Sequence, residues 1–379
     1  MPESKPPASA RLLSLDALRG FDMCWILGLA AVMEKVLQRA FPASPIVTTV
    51  AAQFDHVDWT GFRFFDLIFP LFLFLAGVSL AIAVPRRVAQ GGRSAAARHL
   101  LARATILVAL GILFSGGIKD GWDQIRWLGV LQRIGIASAA AGLLSLGFRT
   151  RGLSIAAAVL LIGYFLLLRF VPVPDVGTGN FAEGMNLTNY LDSIWLPGRK
   201  YDGNHDPEGI LSTLPAIATA LLGLLAGKWI TGAASPLRKT VGLIAAGLIM
   251  LALGWAWHPY FPVIKKLWTS SFVLVAAGWS AILLGLFYGI VDGLGWRRGL
   301  APFLWVGANP IALYLFSGFG FFRIISERLA TAPPPFRLIS ERLATTPPPP
   351  YDWLPTAMTF ALMLTTAQWL HRRQIFLRV

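Results

Sequence analysis

The segment from Gln53 to Ser79, QFDHVDWTGFRFFDLIFPLFLFLAGVS, carries the densest set of groups able to do chemistry. His56 lies between Asp55 and Asp58, with Trp59 and Gly61 behind it and Asp66 at the start of an apolar run. A histidine beside a carboxylate can serve as a general base or as a transient acyl carrier, the carboxylate fixing its tautomer. His56, Asp58 and Asp66 are therefore the candidate catalytic groups. The alternative is a solvated loop histidine, since one His near two Asp is a common arrangement.

Other polar residues stand inside apolar runs, where an ionisable group costs a few kcal/mol or more and marks a functional candidate. LSLDALRGFD sets Asp16, Arg19 and Asp22 at three-residue spacing, on one helix face where the charges can neutralise one another. GVLQRIG puts Gln132 and Arg133 deep in a run, with Asp66 or an acid of an adjoining loop as a partner for the arginine. GANP places Asn309 before a helix-kinking proline. Both segments also suit helix-to-helix hydrogen bonding. In YDGNHDPEG, His205 precedes Asp206, Pro207 and Glu208, which read as a helix start with acids at the positive end of its dipole. His258 offers less context, and His99 and His371 lie in basic segments as interface anchors. With five histidines and no HExxH spacing, no metal is expected.

The elements that must position these groups are membrane helices. Hydrophobic residues make up 55% and charged residues 14% of the 379, and the mean hydropathy is +0.62, which excludes a soluble globular domain. The apolar runs are about 20 residues long, enough to carry a helix across roughly 30 Å of hydrocarbon. About ten spans are predicted: 15–37, 64–84, 100–115, 127–147, 152–172, 209–230, 240–257, 270–292, 301–322 and 354–371. The fold class is thus an all-α integral membrane protein, one domain over 1–379. The first apolar stretch, Leu12 to Val32, reads as a signal anchor. Cys24, the single cysteine, cannot form an internal disulfide.

Charge gives the topology. One set of connections carries Arg86, Arg87, Arg93, Arg98, Arg149, Arg151, Arg238, Lys239, Arg297 and Arg298, with Arg372, Arg373 and Arg378 in the tail. The other set holds Asp55, Asp58, Asp120, Asp123, Asp175, Glu183, Asp192, Asp202, Asp206 and Glu208. The positive-inside rule makes the first set cytoplasmic, along with the 1–11 tail and both termini. Loop 173–208 lies outside, as does 323–352, where RIISERLATAPPP is followed by the near copy RLISERLATTPPP, a local duplication ending in proline-rich linker. The net charge of +14 follows from this topology; its basic residues are scattered between spans, which argues against nucleic acid.

The strings LDALRG (15–20), HVDWTGFRFFDLIFPLFLFLAGVS (56–79), GVLQRIG (129–135), DPEGILSTLPAI (206–217) with LLGLLAG after it, KKLWTSSFVL (265–274) and PFLWVGANPIALY (302–314) resemble the heparan-alpha-glucosaminide N-acetyltransferase family and its bacterial members. They run in the family's order from the first span to the ninth. The resemblance implies a transmembrane acyltransferase, taking acetyl from cytosolic acetyl-CoA to the amine of an amino-sugar or glycan acceptor across a bacterial plasma membrane. It implies a homodimer, and His56 as the active-site residue. Candidates for the acceptor are Trp59, Asp206, Glu208 and Asn309, and for acetyl-CoA Arg19, Gln132 and Arg133. One departure stands out: the family's asparagine near the end of the first span is absent from WILGLAAVMEK, which has Gly28 and Ala30 there, and a longer loop precedes His56. A reading from another class is a transporter or flippase for a sugar, lipid or cell-wall precursor, with Arg19, Asp66 and Arg133 along its pathway. Segments 12–170 and 209–371 show no convincing inverted likeness in its favour.

Overall fold

A computed structural model describes residues 12–41, 44–117, 121–318 and 354–376. The 1–11 tail and the duplicated 323–352 segment lie outside the described residues. The chain is all-helical: α1 (Leu13–Cys24), α2 (Ala30–Ala40), α3 (Pro45–Ala51), α4 (Phe64–Phe114), α5 (Val130–Gly147), α6 (Thr150–Phe170), α7 (Leu187–Trp195), α8 (Thr213–Thr231), α9 (Pro236–Trp257), α10 (Ser270–Phe287), α11 (Ala301–Ala308), α12 (Pro310–Gly318) and α13 (Leu354–Arg372). Among the described residues no strand forms, only isolated bridges that tie loops together.

Among the described residues, six segments are long and apolar enough to cross a membrane: α4, α5, α6, α8, α9, and α10 with its continuation to Gly293. Their outer faces carry the signature of a lipid solvent. Ile155, Val159, Ile162 and Leu166 are exposed on α6, and Val241, Leu248, Ile249 and Leu253 on α9. Apolar faces of that extent are not left to water in a soluble protein.

The 51 residues of α4 would measure about 77 Å if straight. They do not run straight, because Gly92 breaks them with a left-handed φ of 77°. Phe65 and Phe114, at opposite ends of α4, line one cavity, so the two halves fold back on each other as a hairpin. The runs expected at 64–84 and 100–115 are its arms, and the basic stretch between them stays helical up to the glycine. The first span breaks similarly: a π turn at Trp25–Leu29, with Gly28 at φ 118°, separates α1 from α2. In the ninth, Asn309 leaves helical geometry between α11 and α12, the direction in which a following proline biases the backbone.

Helices α4 and α8 cross at backbone contact. A Cβ on Gly223 would lie 2.0 Å from the Phe74 carbonyl oxygen, and one on Gly77 would lie 2.0 Å from that of Ala220. Small residues permit such packing between membrane helices, where dispersion rather than hydrophobic exclusion drives association. Gly223→Ala is accordingly expected to destabilise the chain by about 1–3 kcal/mol through overpacking. Gly163→Ala on α6, where nothing lies within 4 Å, should be neutral or slightly stabilising. Thermal melts of the two variants in detergent check this; equal melting temperatures would refute the close crossing.

Candidate active site

The start of α4 is built around Asp66, its third residue, which is fully buried. Its Oδ2 accepts the backbone N–H groups of Arg63 at 3.0 Å and Val57 at 3.3 Å, the reach-back of a capping box. Its Oδ1 lies 2.8 Å from Nδ1 of His56. One carboxylate thus caps the helix, fixes the preceding loop and orients the imidazole. Asp55 accepts the backbone N–H of His56 at 2.7 Å and leaves the ring alone. Asp58 is exposed and is not among the residues lining the adjoining cavity.

A second loop is seated against the first. Gly61, at φ 127°, donates its N–H to the Val263 carbonyl at 2.9 Å, and Thr60 bridges Ile264. That register brings Lys265 to His56, its Nζ lying 2.9 Å from Nδ1, 3.2 Å from Nε2 and 3.4 Å from Asp66 Oδ1. Nδ1 cannot both donate to the carboxylate and accept from the ammonium. The carboxylate accepts the Nδ1–H bond, which leaves the lone pair of the neutral ring on Nε2, 3.2 Å from the ammonium. Burial pushes the pKa of Lys265 down, more than the neighbouring Asp66 raises it. His56 itself is half-exposed and rests on Phe65, ring centroids 4.7 Å apart.

Across the cavity, Arg126 grips Asp206 with two bonds, Nε to Oδ2 at 2.8 Å and Nη2 to Oδ1 at 2.7 Å, and reaches Glu208 Oε2 at 2.7 Å. Burial opposes ionisation of Asp206, but the guanidinium outweighs it and holds the carboxyl below its usual range. For Glu208 burial wins and its pKa rises. The loop carrying them is pinned from α7: Asp192 accepts the N–H of Ile210 at 2.9 Å and of Asp206 at 3.4 Å, and burial raises its own pKa to about 6. Behind the loop, Arg133 donates to Ser212 and lies 4.9 Å over the Trp268 ring. Of its expected partners, Asp66 is committed to His56 and Lys265, and the loop acids Asp206 and Glu208 are bonded to Arg126. Gln132 donates to the Arg126 carbonyl at 3.3 Å.

Between the two clusters lies a cavity of 480 Å³. His56, Trp59, Arg126, Glu208, Lys265 and Lys266 line its polar end, while Met23, Ile26, Phe69, Phe72, Ile134 and Ile311 line an apolar remainder. A reacting group could meet the imidazole there with its tail kept from water. Trp59 is held by its Nε1 donating to the Phe181 carbonyl at 3.0 Å.

Of the site residues read from sequence, His56, Asp66, Trp59, Asp206, Glu208, Gln132 and Arg133 gather at this end of the bundle. Arg19 and Asn309 do not join them. Arg19 pairs with Asp16 at 3.2 Å and Ser79, and Asn309 donates to the Ile375 carbonyl at 2.9 Å beyond α13. The three acetyl-CoA candidates therefore do not form one site, nor do Arg19, Asp66 and Arg133 line the cavity. Arg126, Lys265 and Lys266 also line the cavity, without being among the candidate site residues legible in the sequence. The available signal was basic residues among loops otherwise rich in acid.

No family model matches the chain. Human heparan-alpha-glucosaminide N-acetyltransferase is 28% identical over 322 aligned residues, covering 69% of this chain and 48% of the human protein. The mouse protein of that name is 26% identical with the same coverage. The chain spans about half the length of the curated relatives it matches. Helical architecture, the membrane-length segments and this similarity agree: the chain is a distant relative of heparan-alpha-glucosaminide N-acetyltransferase.

Proposed function

We propose that the chain is a multi-pass acyltransferase that moves an acetyl group from cytosolic acetyl-CoA to the amine of an amino sugar on the far side of a bacterial plasma membrane. It crosses the bilayer about ten times with both termini in the cytoplasm. The observation that carries this reading is the Asp66–His56–Lys265 arrangement at the polar end of an apolar cavity. The name of the curated relatives supplies the reaction class.

In the first step the Nε2 lone pair of His56 attacks the thioester carbonyl and the C–S bond breaks. CoA leaves as a thiolate, and the ring becomes an acetylimidazolium whose Nδ1 proton stays on Asp66's bond. Lys265 moves from Nε2 to the carbonyl oxygen, where an ammonium stabilises developing negative charge. In the second step the free amine attacks the acetyl carbon, the C–Nε2 bond breaks and neutral imidazole returns. The proton released by the amine balances the one taken up by the thiolate. Arginines 86, 87, 93 and 98 of the basic face attract the CoA phosphates, and the apolar cavity receives the thioester arm. Trp59 and Glu208 face the acceptor, by ring stacking and by charge.

The test is purified chain with acetyl-labelled acetyl-CoA and no acceptor. About one acetyl per chain should be retained, in keeping with a covalent carrier, and discharged on adding glucosamine. Absence of label with normal turnover would replace the carrier by direct transfer with His56 as base. Absence of CoA release with every amine and hydroxyl acceptor tried would overturn acyl transfer itself.

A further inference from the structure

Outside the cavity, Asp202 and His205 of one turn, closed by the Asp202 N–H donating to the His205 carbonyl at 3.1 Å, converge with Glu183 from the loop ahead of α7. One ligand atom each from Glu183, Asp202 and His205 lies within 4.8 Å of the others. His205 Nε2 is 3.8 Å from Glu183 Oε1 and 3.8 Å from Asp202 Oδ2. The histidine is 5% exposed, and its Nε2 has no hydrogen-bond partner. Its Nδ1 lies 2.7 Å from the Asn204 side-chain oxygen, an acceptor, so Nδ1 holds a proton and in the neutral ring, the form that ligates a metal, Nε2 carries the lone pair. A carbonyl behind one ring nitrogen with the other aimed at two carboxylates is the arrangement that orients a metal-binding histidine.

A cation already answers the carboxylates. Lys266 Nζ is 2.7 Å from Glu183 and 3.1 Å from Asp202. A single positive charge leaves one carboxylate uncompensated and does nothing for the imidazole lone pair. We propose that Glu183, Asp202 and His205 form a binding site for a divalent transition metal of the zinc class, which displaces the Lys266 ammonium. One nitrogen and two carboxylate oxygens suit such an ion better than magnesium or calcium, which prefer oxygen alone. Ligand atoms on zinc at about 2.0–2.2 Å stand roughly 3.4 Å apart, so the two 3.8 Å pairs need to close by about 0.4 Å and the remaining pair by up to about 1.4 Å. Lys266 is partly exposed and on a flexible stem, free to swing away. It also lines the cavity and lies 5.9 Å from the Trp59 ring. Metal binding thereby releases a charge at the mouth of the candidate active site. The site itself stands whether or not acyl transfer takes place beside it.

The full chain in detergent, stripped with chelator, is titrated with Zn²⁺, Mg²⁺ and Ca²⁺ by calorimetry. One equivalent of Zn²⁺ should bind, with Mg²⁺ and Ca²⁺ at least about a hundredfold weaker. Glu183→Gln and His205→Gln should each weaken Zn²⁺ by at least about tenfold, and Lys266→Gln should tighten it by about tenfold through loss of the competing ammonium. Glu183 is exposed, so its variant decides the matter if the buried histidine's variant does not fold. No saturable Zn²⁺ binding by the parent chain and Lys266→Gln, or unchanged affinity in Glu183→Gln, overturns the site.

Discussion

Replacing His56 by alanine is expected to lower acceptor-dependent CoA release by at least about a thousandfold, because both steps of the proposed reaction pass through its Nε2. The imidazole is 48% exposed, but its bond to the buried Asp66 carboxylate is lost with it, so the variant should also lose about 1–3 kcal/mol of stability, with Lys265 left to answer the charge. Asp66→Asn should cost about 10²–10⁴-fold, since the amide removes the acceptor that keeps the proton on Nδ1. It should also cost stability, because the Arg63 and Val57 N–H groups share that carboxylate. Asp58→Asn is the discriminating control. It stands two residues from His56 in sequence but is exposed and outside the cavity lining, and its effect should stay under about threefold. A His56→Ala chain that retains more than a tenth of the parent rate would remove the mechanism. A large loss in Asp58→Asn would show that the loop rearranges around its substrate.

The contrast between Asp58 and Asp66 also shows what is legible in one dimension. Period and length expose apolar runs because lipid demands a run of fixed length, and proline hints at the break at Asn309 because it disfavours helix at the residue before it, although α4 runs on through Pro70 and Pro85. A lone positive φ gives no comparable warning. Gly92 turns α4 back on itself and Gly28 opens a π turn, yet each is one glycine among 37. Within the site, His56 was readable from its own neighbours. Lys265, however, lies 209 residues further on, and Arg126 meets Asp206 across 80. Such pairs are made by folding, and a string holds only the charges. Arg133 illustrates the same limit: charge reasoning pairs a buried arginine with an acid, but folding sets its Nη2 on the Ser212 hydroxyl and its plane over the Trp268 ring, while Nε and Nη1 make no hydrogen bond. The resemblance strings marked KKLW and DPEG without saying that they face each other across a cavity.

The second large effect concerns stability. Arg126 is the shared cation of two buried carboxylates, and Arg126→Leu should lower stability by about 3–5 kcal/mol, the usual result of removing one partner from a buried charge cluster. The size of the effect depends on what is left behind. Asp206 is fully buried and, paired, is held ionised below its ordinary range; its favourable contribution is present above that range and is lost as pH falls through its folded value. Without the guanidinium, Asp206 keeps only the N–H groups of Tyr201 and Glu208, and Glu208 only the more distant charge of Arg133; burial then outweighs these and both carboxyls bind protons more tightly folded than unfolded. The sign then reverses, and the variant regains stability as pH falls. Melting temperatures at pH 8 and pH 5 separate this from simple loss of packing, which would leave the same deficit at both. Arg126→Lys keeps the charge but forfeits the two-pronged grip on Asp206, and should fall between parent and Arg126→Leu. Adding Asp206→Asn and Glu208→Gln to Arg126→Leu should restore most of the loss at pH 8, since the uncompensated charges disappear with their partner. If that triple variant melts no higher than Arg126→Leu alone, the cluster is not held together by charge, and the wall of the cavity opposite His56 must be explained by packing around Tyr201, whose ring lies 5.1 Å from the guanidinium.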